Sequence, residues 1–525
     1  MDSTPDPRRW WGLAAIGLAQ LMVVLDMTIV NIALPTAQAD LGISDADRQW
    51  VITAYTLAFG GLLLLGGRLG DVMGRKRTLM IGLGGFAVAS ALGGFAQSFE
   101  MLITARALQG VFAALLAPAA LSMLNVTFTE AKERARALGV YGAIAGGGAA
   151  IGLILGGALT QYVDWRWTLM VNVPIAIVAI IGAALFLHDP RSGGVRVRLD
   201  IPGALLATGG LLAIVFGLSE AEQDGWTSGI VLGSLAAGVA LMVAFVLVER
   251  RTPHALLPLH LMRDRNRAGA LAAVGLSQIG MFGVFLFLTY YMQGIQGFSP
   301  LMTGVAFLPM VVGMMTGAVA LSARLLPRVG PRRLMIPGLL TAAGALAYLT
   351  QIDVGSSYWV HVFPGLIFLG LGMGLTFMPS MATATGGVRG TDAGVVSATL
   401  NTTQQVGGSI GIALLNTIAA TATTNWFTSN GGASADPALA AVHGFTTAMW
   451  VSVGAVLLAA LLAAILVTAR PSAEAPALAA GDATDAELAD AELAGAPLSG
   501  AEVPVAVRSA DAVAADSTSG EGRSR

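Results

Sequence analysis

Fourteen apolar runs, each close to the length that crosses a bilayer, govern what this chain can fold into. A helix needs about 20 residues to span a hydrocarbon core about 30 Å thick. Inside that core each backbone amide must find its partner within the protein, so runs of this kind are helices. They fall near 11–34, 49–69, 78–97, 101–124, 136–159, 166–187, 202–219, 229–248, 268–292, 301–323, 334–351, 361–381, 396–419 and 444–468. A mean hydropathy of +0.73 and a charged fraction of 11% exclude a soluble core of this size. The expectation is an all-α polytopic membrane protein with fourteen transmembrane helices.

The basic residues test that count. With residues 1–10 on the cytoplasmic side, all but three of the 29 Lys and Arg residues fall inside. The exceptions are Arg48 and Arg166 outside and Arg106 within a run. This is the asymmetry of the positive-inside rule, and one missed helix would invert half of it. Both termini are therefore expected in the cytoplasm and the protein in the cytoplasmic membrane. No cleavage site follows the first run, so residues 1–10 read as a retained terminus. Residues 470–525 are rich in Ala, Ser, Gly and acid, and read as a disordered acidic cytoplasmic tail. With no cysteine, disulfides and thiol chemistry are excluded, and the five histidines show no metal-ligand spacing.

Two charges lie within the runs. Asp26 is about 15 residues into the first, and Arg106 about five residues into the fourth. At 1.5 Å per residue in antiparallel helices, both reach a similar depth in the outer half of the membrane. An intramembrane charge is costly and marks function by default. The bland alternatives are a packing carboxylate for Asp26 and snorkelling for Arg106. Polar groups at membrane depth make Gln20, Asn31, Gln278, Asn401, Gln404 and Gln405 candidates for a substrate cavity. Phe282, Met310, Met314 and Met373 are candidates for its adaptable apolar lining, although each alone also fits a core or lipid-facing position. The fifth run carries glycines at three- and four-residue spacing, including Gly152, Gly156 and Gly157, which permit close helix approach.

An internal repeat organises the chain. Gly67–Arg77 after the second run aligns without gaps with Ala323–Arg333 after the tenth, matching Arg68/Arg324, Leu69/Leu325, Gly74/Gly330 and Arg77/Arg333. Such repeats build many transporters. They divide the chain into a six-helix bundle at 11–187, an inserted helix pair at 202–248 and a second six-helix bundle at 268–468. In the first loop Gly67, Asp71, Gly74, Arg75 and Arg77 read as a conformational latch; the bland alternative is a topogenic basic turn.

With these residues in place the chain resembles the major facilitator superfamily, and more narrowly its fourteen-span drug:proton antiporter branch, the EmrB/QacA-like exporters. The likeness covers about residues 10–468. Gly67–Arg77 is similar to the superfamily's loop between helices 2 and 3. Leu25-Asp-Met-Thr-Ile-Val-Asn-Ile-Ala-Leu-Pro35 resembles the first-helix signature of the branch. Leu102–Gly110, with Arg106, Gln109 and Gly110, resembles the fourth-helix motif tied to proton coupling. Trp165-Arg-Trp167 with Asn172-Val-Pro174, and Phe298-Ser-Pro300 with Leu308-Pro309, are similar to further motifs of the branch. One residue departs: in the family's fifth-helix antiporter motif a Gly-Pro pair precedes Gly-Gly, whereas here Leu153 follows Gly152.

The resemblance implies a major facilitator fold of two six-helix bundles plus two inserted helices. It also implies proton-coupled export of amphiphilic drugs or antibiotics by alternating access, with Asp26 and Arg106 coupling the proton. No cofactor is implied beyond the proton gradient. The expected partners are a lipophilic small molecule, protons and the bilayer, with no nucleic acid, and the chain is expected to be a monomer. Leu153 leaves open a dedicated exporter of one lipid or metabolite, or a symporter. An ATP-driven pump is excluded because neither Lys76 nor Lys132 ends a Gly-x-x-x-x-Gly-Lys loop. No cluster offers catalytic geometry, and a non-transporting sensor would leave Asp26 and Arg106 without a purpose.

Overall fold

The fold is given by a computed structural model. It describes residues 8–188, 200–252, 256–257, 259–386, 388, 390–430 and 436–469; the side chains of 71, 131, 135, 222, 223 and 390–394 are excepted. The acidic tail and the first residues of the N-terminus lie outside the described residues. Thirteen described helices are long and apolar enough to cross a membrane. With one more of 18 residues, Arg332–Leu349, they are numbered α1 to α14 here. They are α1 Arg9–Leu41, α2 Trp50–Met73, α3 Arg75–Gly94, α4 Phe99–Thr127, α5 Ala131–Tyr162, α6 Trp167–Phe186 and α7 Ile201–Asp224. There follow α8 Gly229–Arg251, α9 Arg265–Ile295, α10 Pro300–Val329, α11 Arg332–Leu349, α12 Tyr358–Thr385, α13 Gly390–Ser429 and α14 Pro437–Leu466. No strand occurs among the described residues.

Several helices run past the apolar stretches that signal them. α1 continues through Pro35, where the apolar run is expected to stop, and α4, α11 and α12 also carry an interior proline. Neighbouring helices tolerate the lost hydrogen bond inside a membrane bundle. α13 reaches 40 residues, well beyond its apolar stretch of 396–419.

The helices pack as two copies of one pattern. In the first half α2 and α3 pack on α4, α1 packs on α5 and α6, and α3 packs on α6. In the second half α10 and α11 pack on α12, α9 packs on α13 and α14, and α11 packs on α14. Each partner is displaced by eight helices, because α7 and α8 stand between the halves in sequence. At the repeated loops Gly74 has φ 93° and Gly330 has φ 80°, a conformation that only glycine adopts cheaply. Both end a helix and turn the chain into the next, so the aligned loops share a backbone as well as a sequence.

The halves meet along two seams, α2 against α13 and α5 against α10. The α7–α8 pair lies beside the first of them. Leu57 of α2, Leu211, Val215 and Leu218 of α7, and Ala413 of α13 share one buried cluster, and Thr417 Oγ1 donates to the Leu218 carbonyl at 2.7 Å. α8 packs chiefly on α7 and exposes Ile230, Leu232, Val239, Val243 and Leu247.

Contacts between the halves concentrate away from the end at which α1 starts and α14 finishes. At the far end Arg48 donates from Nε and Nη2 to Asn416 Oδ1, at 3.3 and 3.2 Å, and its guanidinium lies 4.2 Å from the centroid of the Tyr290 ring. Tyr290 donates to Gln38, and Gln293 to the Ile32 carbonyl at 3.0 Å. Nearer mid-depth, Thr56 and Ser409 hydroxyls lie 2.7 Å apart, and Thr402 donates to the Gly60 carbonyl at 3.2 Å. At the terminal end the polar contacts run within a half, as Arg9 with Glu133 and Arg265 with the Leu466 carbonyl.

Candidate functional site

Asp26 and Arg106 meet. Arg106 Nη1 donates to Asp26 Oδ2 at 2.6 Å, and the two residues are 1% and 0% exposed. Four helices supply the surroundings. Gln109, one turn after Arg106 on α4, donates from Nε2 to Asp26 Oδ1 at 2.9 Å and to Ser90 Oγ of α3 at 2.8 Å. Its Oε1 accepts from Arg106 Nη1 at 2.8 Å. Asn172, where α6 bends, donates from Nδ2 to Asp26 Oδ1 at 2.9 Å. Arg106 Nε donates to the Val51 carbonyl of α2 at 3.0 Å, and its guanidinium lies 4.4 Å from the Tyr55 ring centroid.

Each partner of Asp26 is a donor, the pattern an ionised carboxylate accepts. Such a buried pair needs excellent geometry and extra hydrogen bonds to offset its desolvation, and removing one partner strands the other. The cluster is therefore an all-or-none unit: a proton on Asp26 would put an O–H among three donors and force them to rearrange. Two polar atoms at its edge, Asn172 Oδ1 and the Tyr55 hydroxyl, are buried without a partner. Asn172, Ser90 and Tyr55 escape sequence reasoning about this cluster. Asn172 had one signal, as the amide that opens the Asn-Val-Pro motif; Ser90 and Tyr55 had none.

α5 packs beside the cluster. A Cβ on Gly152 would lie 2.0 Å from Thr28 Oγ1, and one on Gly156 2.7 Å from the Ile29 side chain, so both glycines bring α5 against α1 next to Asp26. A Cβ on Gly157 would lie 2.5 Å from Leu301 Cα, so this glycine closes α5 on α10. Leu153 is fully buried, and its carbonyl touches the position a Cβ on Gly304 would take. Gly139, Gly142, Gly146 and Gly147 differ: a Cβ on any of them would meet nothing within 4 Å. Close packing of glycines thus belongs to the later ones, while the terminal half of α5 meets α1 through the side chains of Glu133, Tyr141 and Ile144.

Of the latch residues, Gly67 lies within α2, where a Cβ would lie 3.7 Å from Pro118, and Gly74 makes the turn into α3. Arg75 is half-buried and Arg77 exposed, while the Asp71 side chain lies outside the described residues. Lys76 docks the loop on the first bundle, donating to the Ala184 and Leu187 carbonyls at 2.9 and 2.7 Å.

The cavity candidates separate by position. Gln20 accepts from the Tyr141 hydroxyl at 2.5 Å, joining α1 to α5. Asn31 is buried and donates to the Met27 carbonyl at 2.7 Å. Gln278 is buried, Phe282 lies half-buried with its ring where a Cβ on Gly408 would sit, and Met310 and Met373 are in the main buried cluster. Met314 and Gln404 are half-buried and Asn401 is exposed. Gln405 is buried, with Nε2 3.8 Å from Met27 Sδ; its Oε1 and Gln404 Nε2 have no partner.

Residues 16–412 match the family model described as Major Facilitator Superfamily. The chain is 54% identical over 459 residues to the puromycin resistance protein pur8 of Streptomyces alboniger, covering 87% of this chain and 91% of that protein. It is 40% identical over 410 residues to the cephamycin export protein CmcT of Amycolatopsis lactamdurans, covering 77% and 84%. Among solved structures it resembles the POT family transporter PepTSo with a TM-score of 0.65 at 16% identity, over 88% of this chain and 98% of that one.

Proposed function

The chain belongs to the major facilitator superfamily, and from that premise we propose that it is a proton-coupled antiporter exporting an amphiphilic antibiotic-like molecule across the cytoplasmic membrane. It is a multi-pass membrane transporter and not an enzyme, and its relatives are antibiotic resistance and export proteins. The observation that carries the antiport reading is the Asp26–Arg106 cluster, a titratable group held by three donors from two other helices.

With both termini cytoplasmic, the far-end contacts close the outside and the parted terminal halves open the inside. In this inward-facing arrangement Asp26 has the donor set of a carboxylate that has released its proton. In the outward-facing arrangement a proton taken by Asp26 frees Arg106, and the cluster re-forms only after the molecule has turned inward. Outward return of the substrate and inward passage of the proton then share one conformational cycle. The loop with Gly67, Asp71, Gly74, Arg75 and Arg77 acts as the latch between the two states. Gln20, Asn401 and Gln404, with Met314 and Phe282, line the substrate path. With Asp26 the one acid in the Arg106 cluster, the site suits monocationic, neutral or weakly anionic amphiphiles, and the cycle needs no cofactor and no second subunit.

The test is proton movement in inverted vesicles, wild type against Asp26→Asn. Drug-triggered proton release from acidified wild-type vesicles, absent in the variant, supports antiport through Asp26. Equal release from both removes Asp26 from the mechanism. A second reading, dedicated export of one compound class, is favoured by Leu153 and by relatives whose names each specify one antibiotic. Competition among unrelated dyes separates it from multidrug export.

A further inference from the structure

The start of α7 and the end of α8 bring two buried carboxylates together with a donor missing between them. Asp200 is 5% exposed and Glu249 4%. Asp200 caps α7, its Oδ1 accepting the Gly203 N–H at 2.9 Å. Glu249 Oε2 accepts the Leu257 N–H at 3.0 Å, and Oε1 the Leu256 N–H at 3.3 Å. Asp200 Oδ2 has no partner. It points at Glu249: a Cβ on Gly203 would lie 2.6 Å from Asp200 Oδ2 and 2.9 Å from Glu249 Oε1, so a missing side chain leaves the space in which the two oxygens meet.

We propose that Asp200 and Glu249 hold one proton between them, Glu249 Oε1 donating and Asp200 Oδ2 accepting, as a second proton-binding site outside the Asp26 cluster. Two bare carboxylates this close, out of water, repel strongly, and one shared proton removes the repulsion and satisfies the empty acceptor. The charged group facing Glu249 is Asp200 itself. Arg250 and Arg251 follow Glu249 in the last turn of α8, and no ion pair joins either to the two carboxylates among the described residues. The helices decide where the proton resides. Asp200 sits at the N-terminus of α7, where the helix dipole favours an anion; Glu249 sits at the C-terminus of α8, where it opposes one. The longer of the two amide bonds to Glu249 falls on Oε1, the oxygen assigned the proton. A divalent metal fits less well, since calcium takes six to eight oxygen ligands and the other three carboxylate oxygens are occupied by backbone N–H groups.

The pair ties the start of α7 to the end of α8 and to residues 256–257 on the way to α9. Because α7 packs on both α2 and α13, proton loss here loosens the element that lies beside one seam between the halves. The site stands independently of the direction of transport and of Asp26.

Infrared spectroscopy of the purified full-length protein tests this. At neutral pH the wild type shows a protonated-acid carbonyl band that persists in Asp26→Asn and vanishes in both Glu249→Gln and Asp200→Asn. Glu249→Gln, whose amide N–H replaces the proton, keeps the wild-type melting temperature, which shows that loss of the band is not unfolding. A band unchanged in Glu249→Gln overturns the proposal. So does a wild-type melting temperature that rises with calcium or magnesium and falls with chelator while Glu249→Gln does not respond, since a metal then fills the site.

Discussion

Arg106 contributes more than its charge. Its Nη1 holds Asp26 and Gln109 while Nε holds the Val51 carbonyl, a fork that lysine's single nitrogen does not reproduce. Arg106→Lys is therefore expected to lower drug-driven proton release at least about tenfold, even though the charge is kept, since losing a charge-assisted hydrogen bond costs about 1.5–3 kcal/mol. Vesicle fluorescence measures it, and wild-type rates would show that charge alone suffices. Asp26→Asn behaves differently in stability. Asn172 Oδ1 has no partner, so turning the Asn172 amide offers an acceptor to the new amide at 26. That relief is partial, because Arg106 keeps a buried charge without its counter-charge: thermal unfolding should show Asp26→Asn below wild type, and the double variant Asp26→Asn with Asn172→Ala lower still. The two charges were legible because a charge in an apolar run is costly enough to stand out, even beside the bland alternatives of packing and snorkelling. Asn172 and Ser90 were not, because an amide or hydroxyl in a helix satisfies itself locally as often as it reaches across. Their place in the cluster, Asn172 on Asp26 and Ser90 on Gln109, depends on the packing of α1, α3, α4 and α6, which no local pattern encodes.

At the scale of the element, α5 carries one composition with two behaviours. Its later glycines touch α1 and α10, and its earlier ones face open space. Gly152→Ala would force a Cβ to 2.0 Å from Thr28 Oγ1 and 3.2 Å from the Leu25 carbonyl, beside Asp26. Overpacking of this kind costs about 1–3 kcal/mol. Gly142→Ala meets nothing in this arrangement, and alanine favours a helix by about 0.5–1 kcal/mol over glycine. Melting temperatures should move in opposite directions, down for Gly152→Ala and slightly up for Gly142→Ala. If Gly142→Ala transports slowly despite its stability, the terminal half of α5 closes on a neighbour during the cycle. Spacing alone pointed to close helix approach along the whole helix, because small residues report what packing is possible and not which face a given conformation uses. Helix ends were misread for a related reason: hydropathy marks the lipid-facing stretch, whereas α13 continues for turns beyond it.

At the scale of the whole molecule, the repeated packing leaves two seams, and the far-end contacts hold both shut. Arg48 is the polar anchor of one: 7% exposed, it joins the α1–α2 connection to Asn416 of α13 and to the ring of Tyr290 on α9. Asp45, the acid beside it at 3.2 Å, is largely exposed and holds it weakly, so the cross-half contacts fix its place. The two-half plan was visible in the aligned loops, but Arg48 counted only as an exception to the charge asymmetry, since its partners lie hundreds of residues away. Gly157 and Leu301 mark the other seam. The chain lacks cysteine, so paired cysteines can be read without removing native ones. Thr56→Cys with Ser409→Cys, at hydroxyls that now lie 2.7 Å apart across the first seam, should cross-link under oxidation, stop transport and recover on reduction, because locking one seam holds both halves of a two-fold molecule. Arg48→Ala should do the reverse, opening the far end. A cysteine at Ser409, now facing Thr56 across the first seam, should react several-fold faster with an impermeant maleimide from that side when Arg48 is absent. Unchanged labelling would mean that the apolar contacts around Tyr290 and Leu57 keep the far end closed without Arg48.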